Sequence, residues 1–223
     1  MKYQTIALAG IFALGLSLAS CSGSSKGEGS VAASEAAAVS DVAAEALAVD
    51  STASALSWKG FKPGGEHYGK LPISAGQLDI KDDVLHGGYV TIKMNGIIVE
   101  DLKAEEGGDK LKAHLEGEDF FDVAKYPEAK FELTDVPAEG LKIADIKELK
   151  GNLTLKDVTK NITIPVASIQ RDAATGKYSF TSQTFRINRA DWNVKYGSKS
   201  FFTGLGDKFI NDEIELSFVL QTL

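Results

Sequence analysis

The sequence has few of the residues that build metal and redox sites: its 223 residues include one cysteine and three histidines. A single cysteine excludes a disulfide within the chain, so the core alone has to stabilise the fold. A zinc site needs three or four converging ligands, and the three histidines are widely separated along the chain. His114 stands close to the acids of residues 116–119, which we interpret as turn and helix-capping residues. We therefore predict no metal site.

The chain also lacks any Lys/Arg-rich tract, and its formal net charge is −7. An acidic chain without a basic stripe argues against nucleic acid as a partner. No GxSxG elbow between a strand and a helix is present, since the letters GSSKG at residues 23–27 lie in a Ser/Gly-rich stretch, and no glycine-rich loop opens a helix after a strand. These absences argue against a serine hydrolase and against a nucleotide-binding enzyme. We predict a protein that is not an enzyme and has no resident cofactor.

The longest apolar run near the N-terminus is Ile6–Ala19, with fourteen residues. It is short for a membrane span and is typical of an export signal, which we place at residues 1–20. The letters "LASC" at residues 18–21 resemble a bacterial lipobox, in which the cysteine receives acyl chains such as palmitate. We predict lipidation at Cys21 and a membrane-anchored lipoprotein of the bacterial cell envelope, on the periplasmic face or the surface. An ordinary secretory signal is the alternative.

The segment after Cys21 has little that could form a core. The stretch "VAASEAAAVSDVAAEALAVD" holds nine alanines and no aromatic residue. Such a composition buries little apolar surface, so we predict a flexible Ala/Ser-rich tether over residues 21–55. A helix docked on the domain is the alternative, because alanine and glutamate favour helix.

From residue 56 onward, short alternating runs separated by turn residues indicate strands. In the last run, Glu213–Leu220, apolar side chains occupy every second position. About eight such runs with short links predict one antiparallel domain over residues 56–223, closed as a barrel or stacked as a sandwich. Two segments without strand pattern, 96–127 and 196–209, interrupt the runs.

Adjacent phenylalanines occur once in each of these two segments, as Phe120-Phe121 and Phe201-Phe202. Paired aromatics can plug the end of a barrel or line the mouth of an apolar cavity. The spacing by itself leaves both interpretations open.

Three motifs resemble one known family. "HLEGEDFFDVAKYPEAKF" (residues 114–131), "GNLTLKDVTKNITIPV" (residues 151–166) and "FRINRADWNVKYGS" (residues 185–198) are similar to signatures of the YceI-like proteins, and they follow the same order. The resemblance implies an all-β, lipocalin-like, eight-stranded antiparallel β-barrel with short helical inserts. It also implies that the barrel binds an amphiphilic lipid, typically a polyisoprenoid or an isoprenoid quinone.

Carried over to this chain, the resemblance implies that His114, Arg186 and Arg189 are the polar groups that meet the head of a ligand. The full set of predicted ligand-binding residues is His114, Leu115, Phe120, Phe121, Tyr126, Phe131, Arg186, Arg189, Trp192, Phe201 and Phe202. The chain departs from the family pattern at Gly117, where serine is common, and at Asp157, where glycine is common.

The resulting expectation is an envelope lipoprotein that binds or carries a long apolar isoprenoid-type lipid, with the membrane as partner through its N-terminal lipid anchor. Two other classes remain open. One is a structural or stress-related envelope interaction protein whose barrel is filled by its own side chains. The other is a quinone-linked enzyme that uses His114 and the neighbouring acids. The sequence leaves a homodimer open.

Overall fold

The computed structural model describes residues 29–43 and 46–223. The predicted signal peptide (residues 1–20), the predicted lipidation site Cys21 and the start of the predicted tether lie outside the described residues.

Eight antiparallel strands of the described chain form a closed barrel. They are β1 (Ala55–Lys62), β2 (Gly65–Lys81), β3 (Val84–Lys93), β4 (Glu128–Leu133), β5 (Glu148–Leu155), β6 (Val158–Arg171), β7 (Tyr178–Ser182) and β8 (Glu213–Gln221). Each strand pairs with the next one in the chain, and β8 returns to pair with β1, where Leu216 lies opposite Trp58. This up-and-down order confirms the predicted eight-stranded, lipocalin-like barrel.

Four short strands extend this sheet: Leu47–Ala48 and Ile98–Val99 pair with β2, Leu141–Lys142 pairs with β3, and Phe185–Asn188 pairs with β8. The helical inserts comprise helix α1 (Gly108–Glu116) and five 3-10 turns, Met94–Gly96, Ala104–Glu106, Ile143–Asp145, Arg189–Trp192 and Gly206–Lys208. Among the described residues these six are the only helical segments. Ala104–Glu106, α1 and Gly206–Lys208 lie within the two segments in which the sequence showed no strand pattern, 96–127 and 196–209.

Tight turns join several of the strands. Between β2 and β3 the two linking residues, Asp82 and Asp83, have φ of 52° and 58°. Between β5 and β6, Lys156 and Asp157 have φ of 49° and 63°. Two successive positive φ values characterise the hairpin turn whose twist matches that of the flanking strands. The glycine common in the family at position 157 suits this backbone, and aspartate is among the residues that tolerate it.

Part of the predicted tether, residues 29–43, lies along the outside of the barrel; we call these residues the strap. Its backbone is extended, with hydrogen bonds such as Val31 N–H to Arg186 O at 2.8 Å and Ser40 N–H to Leu133 O at 2.9 Å. The strap therefore differs from a tether that hangs free of the domain. Composition could not reveal this contact, because backbone groups supply the hydrogen bonds and require no large apolar side chains.

An outward-facing amide fixes the middle of the strap. Asn152 lies next to inward-facing Leu153 on β5, so its side chain points to the outer face of the barrel. Its Nδ2–H donates to Ala37 O at 2.7 Å, and its Oδ1 accepts from Ala37 N–H at 3.0 Å. Only 4% of Asn152 is exposed, so the strap both buries this amide and provides its hydrogen-bond partners.

Candidate functional site

The barrel encloses an apolar cavity of about 210 Å³. Every one of the eight strands contributes inward-facing side chains to its wall, because alternate residues of a strand point to the same face. An apolar cavity of about 150 Å³ is enough to hold one benzene molecule. The strand residues of the wall include Leu56, Trp58, Leu71, Leu78, Leu85, Val90, Ala129, Phe131, Leu149, Leu153, Ile162, Phe180, Leu216 and Leu220.

Helix α1 and the turn after it cover one end of the barrel. Leu111 and Leu115 of α1 lie on the cavity wall, together with Phe120 and Phe121 from the turn. The turn is held by Phe121 N–H donating to Leu115 O at 3.1 Å and by the Lys156 ammonium donating to Phe120 O at 2.6 Å. The structure therefore places both rings of the Phe120-Phe121 pair at the cavity, as wall residues that also close its end.

Phe131, another of the predicted site residues, reaches the cavity from β4. Its ring lies directly over Gly151, where an added Cβ atom would stand 2.3 Å from the Phe131 Cζ atom. Glycine at this position leaves the room in which the ring packs. Gly151, the first residue of the motif at residues 151–166, therefore helps to set the shape of the cavity wall.

Arg189 also contacts the cavity, but its guanidinium donates its hydrogen bonds to backbone carbonyls of the protein. Its three nitrogens donate to the carbonyl oxygens of Asn211, Val194 and Ile210 at 3.0, 2.7 and 3.1 Å. The carboxylate of Asp212 lies 3.5 Å from Nη2, and only 2% of the Arg189 side chain is exposed. Burial lowers the pKa of Arg189, an effect that the charge of Asp212 opposes. Its contacts are those of a structural residue that ties residues 189–194 to 210–212.

The remaining predicted site residues do not line the cavity. His114 packs edge-on against Phe120 and Tyr196, with ring centroids 4.9 and 4.8 Å away, and its Nε2 lies 3.2 Å from Asp119 Oδ2. Trp192 is fully buried and donates its indole N–H to Leu153 O at 2.9 Å. Both side chains hold the end of the barrel together outside the cavity wall.

Arg186, Tyr126 and the second phenylalanine pair face outward. Arg186 forms an ion pair with Glu215 at 2.9 Å, on the outer face of the short strand that pairs with β8. Half-buried Tyr126 lies beneath the Lys125 ammonium, 5.0 Å from its ring centroid. Phe201 and Phe202 are each 49% exposed, so the pair at 201–202 has no part in the cavity wall.

Two polar residues that the sequence analysis did not place in the site line the cavity near the β1–β2 turn: Lys62 and His67. His67 Nδ1 lies 2.7 Å from Asp101 Oδ2, and the Lys62 ammonium lies 3.0 Å from His67 Nε2. Lys62 is exposed although it lines the cavity, so this end of the cavity is close to solvent. The alternation in "ALSWKGFK" puts Leu56, Trp58 and Lys62 on one face, and that signal could have identified them.

Asp101 orients the imidazole of His67. The Asp101 side chain is 12% exposed, and its second oxygen accepts the Tyr68 N–H at 3.1 Å. Burial by itself would raise the pKa of Asp101, but the hydrogen bonds from His67 and from Tyr68 N–H outweigh burial and lower it. The carboxylate therefore stays charged at neutral pH and favours the tautomer of His67 that carries its proton on Nδ1.

Within residues 29–43 and 46–223, no group of three or more His, Cys, Asp or Glu side chains is arranged to hold a metal ion. The same described residues include no helix that is long and apolar enough to span a bilayer.

Comparison with known proteins adds family and fold information. The family model for the YceI-like domain matches residues 47–222. A UPF0312 protein of Pseudomonas savastanoi is 40% identical over 84 residues, which is 37% of this chain and 42% of that protein. The chain thus matches less than half the length of this relative.

Two solved structures share the fold. BcnA of Burkholderia cenocepacia superposes with a TM-score of 0.56 at 21% identity, covering 78% of this chain and 99% of that one. A domain from Saccharophagus degradans, described as a polyisoprenoid binding domain implicated in plant cell wall breakdown, superposes with a TM-score of 0.56 at 18% identity. That comparison covers 79% of this chain and 97% of the other. At sequence identities of 21% and 18%, both comparisons support the fold alone.

Proposed function

Because the chain belongs to the YceI-like domain family, we propose that it binds the apolar chain of a lipid inside its barrel. The observation that carries this proposal is the cavity of about 210 Å³, walled by apolar side chains from all eight strands. An interior walled by apolar side chains suits an apolar ligand, which supports binding as the function. Burial of apolar surface at about 25 cal/mol per Å² would supply the affinity, less the cost of ordering the chain.

The lipid class that we propose is an isoprenoid: a polyprenol or an isoprenoid quinone. Support comes from the polyisoprenoid binding domain of Saccharophagus degradans, which has the same fold. A branched, flexible isoprenoid chain also suits a wall built from leucine, isoleucine and phenylalanine, because such side chains pack against methyl groups without polar partners.

We further propose that acylated Cys21 attaches the protein to a membrane of the bacterial cell envelope. The lipobox-like residues 18–21 support this assignment. Several acyl chains anchor a protein firmly where one is marginal. The barrel would then lie within reach of the membrane that contains its ligand.

The direct test of ligand binding uses the full chain, purified with its native lipids. Extraction and mass spectrometry should find an isoprenoid lipid in a near-stoichiometric amount, and delipidated protein should bind added decylubiquinone. An empty barrel that binds neither prenols nor quinones would contradict the proposal.

A matched pair of variants distinguishes a ligand cavity from a barrel filled by its own side chains. Phe121→Ala removes a ring from the cavity wall, whereas Phe202→Ala removes a ring that is 49% exposed and away from it. For a ligand cavity, we expect Phe121→Ala to weaken decylubiquinone binding several-fold, at a stability cost below the roughly 3–5 kcal/mol of a fully packed phenylalanine. Phe202→Ala should change neither the decylubiquinone affinity nor the stability.

The opposite pattern would favour the structural alternative. If Phe121→Ala lowered the free energy of unfolding by the full amount while no ligand bound to the wild type, the ring would be a plug of the barrel end. Denaturant titration measures the free energy of unfolding, and tryptophan quenching measures decylubiquinone binding on the same samples.

A further inference from the structure

Residues 195–209, which we call the aromatic loop, present several large rings to solvent. Tyr196 is 42% exposed, and Phe201 and Phe202 are each 49% exposed. Among the described residues, the only other aromatic side chain exposed to a similar degree is Tyr68. A group of exposed apolar side chains marks a surface that meets a membrane or another protein. The cavity wall does not include these three rings, so the proposed lipid binding leaves them unexplained.

The base of the aromatic loop is fixed by hydrogen bonds. The carbonyl oxygen of buried Ser198 accepts the N–H groups of Phe201 and Phe202 at 3.3 and 3.0 Å. Ile210 N–H donates to Gly197 O at 2.8 Å, and Gly197 has a φ of 64°. These contacts hold the backbone of the loop in a turn, and both phenylalanine rings stand outside the barrel as a result.

Lysines lie beside the rings. The Lys195 ammonium is 4.6 Å from the Phe201 ring centroid, and the Lys199 ammonium is 3.5 Å from the Phe209 ring centroid. The aromatic loop contains three lysines and one acid, Asp207, although the whole chain has a net charge of −7. Exposed rings with neighbouring lysines suit the interface of a bilayer, where rings enter the head-group region and ammonium groups meet lipid phosphates.

The aromatic loop adjoins the elements that close the cavity. The Tyr196 ring centroid lies 4.8 Å from that of His114 on α1 and 5.2 Å from that of Phe120 in the turn after α1. The exposed rings are therefore at the end of the barrel that α1 covers. A surface that receives these rings also faces this end of the cavity.

The strap begins near the same end of the barrel. Gly29 O accepts the N–H of Arg186 at 3.0 Å, three residues before the turn Arg189–Trp192 that leads into the aromatic loop. Seven residues separate Cys21 from Gly29. Eight residue steps span at most about 28 Å. Acylated Cys21, as proposed above, would thus hold the membrane within that distance of Gly29, and the bilayer is the partner that this short connection favours.

We propose that the aromatic loop is a docking surface for a phospholipid bilayer. Phe201 and Phe202 enter the interface between head groups and acyl chains, while Lys195 and Lys199 contact lipid phosphates. Docking turns the α1 end of the barrel towards the membrane. This surface is separate from the cavity, and the choice of a bilayer as partner rests in part on the proposed acylation of Cys21.

The test places the full chain on vesicles of brominated phosphatidylcholine with a minority of phosphatidylglycerol. Attachment through the N-terminal segment would add to any vesicle-bound fraction, so the readout is local: bromolipid quenching of a newly introduced tryptophan. We expect the fluorescence of Phe202→Trp to be quenched several-fold more than that of the wild type. The control is Val219→Trp, at a residue that is 40% exposed near the opposite end of β8, and it should add no quenching.

A second measurement uses the wild type. Acetic anhydride labels exposed lysines, so vesicles should lower the labelling of Lys199 several-fold. Lys177, an exposed lysine in the turn between β6 and β7, should be labelled to the same extent with and without vesicles.

Equal quenching of Phe202→Trp and Val219→Trp, or equal labelling changes at Lys199 and Lys177, would overturn the docking surface. Protection of Lys199 that rises with protein concentration in the absence of vesicles would also overturn it, in favour of a contact between copies of the chain. Lipid binding in the cavity would stand in each case, because decylubiquinone titration measures it without a bilayer. Mass spectrometry of the N-terminal peptide decides the acylation of Cys21 separately.

Discussion

At the scale of single residues, Arg189 and Arg186 illustrate how differently two nearby arginines are used. Arg189 is buried, with three backbone carbonyls and Asp212 around its guanidinium. Arg186 is partly exposed and pairs with Glu215 on the outer face of the barrel. The sequence analysis assigned both to the head of a ligand, but their contacts are those of structural residues.

Replacing Arg189 with methionine should therefore destabilise the protein strongly. The change leaves Asp212 without its cation and three carbonyls without a donor, and removing one partner of a buried pair typically costs about 3–5 kcal/mol. Arg186→Met is the matched control, with an expected loss below about 1 kcal/mol because its ion pair is partly solvated. Denaturant unfolding measures both, and equal losses would contradict this division of roles.

Asp101 contributes to the acid stability of the protein. Its pKa is lowered in the folded state, so its contribution to stability is fully present above the unfolded pKa of about 3.9. That contribution is lost as the pH falls through the folded pKa. We expect Asp101→Asn to be less stable than the wild type at pH 7, and to lose less stability between pH 5 and pH 2. Parallel acid-unfolding curves of the two proteins would contradict this assignment.

At the scale of elements, the strap depends on the side chain of Asn152. Its two hydrogen bonds to the backbone of Ala37 are joined by a third, from Asn161 Nδ2–H to Asn152 Oδ1 at 3.0 Å. Thr134, which is 2% exposed, accepts the same Asn161 amide at 2.9 Å. The outer face of the barrel here is a polar cluster that the strap covers.

We expect Asn152→Ala to lower the free energy of unfolding by about 1–3 kcal/mol, because it leaves the part-buried N–H and carbonyl of Ala37 without their partners. Amide exchange at Ala37 should become much faster. The control is Lys160→Ala, which removes only an ion pair to Glu35, a side chain that is 91% exposed. Hydrogen-exchange mass spectrometry of residues 29–43 compares the two, and similar protection in both variants would show that Asn152 does not hold the strap.

At the scale of the whole molecule, the cavity couples ligand binding to stability. A ligand that binds the closed barrel and not the unfolded chain stabilises the protein by about 2.7 kcal/mol at a hundredfold excess over its Kd. The melting temperature should therefore rise with decylubiquinone concentration in the wild type. A melting temperature that stays constant across this titration would indicate that the ligand does not occupy the barrel.

The molecule also shows which features were predictable. Alternation in runs such as Glu213–Leu220 predicted strands, and short links predicted antiparallel neighbours, as the structure confirms. The Phe120-Phe121 pair was singled out from its spacing and lies at the cavity. The equally conspicuous pair Phe201-Phe202 is exposed, because nothing in local spacing tells a ring that packs inward from one that the loop presents to solvent.

The sequence by itself determined the strands, the tight turns between them and the motifs of the family, because these depend on side-chain alternation and backbone preferences within a few residues. Only the tertiary structure decided that Lys62, His67 and Asp101 meet at one end of the cavity, that Arg189 is satisfied by distant carbonyls, and that the strap follows the barrel wall. These arrangements arise when the sheet closes, since closure brings together groups that are far apart in the chain.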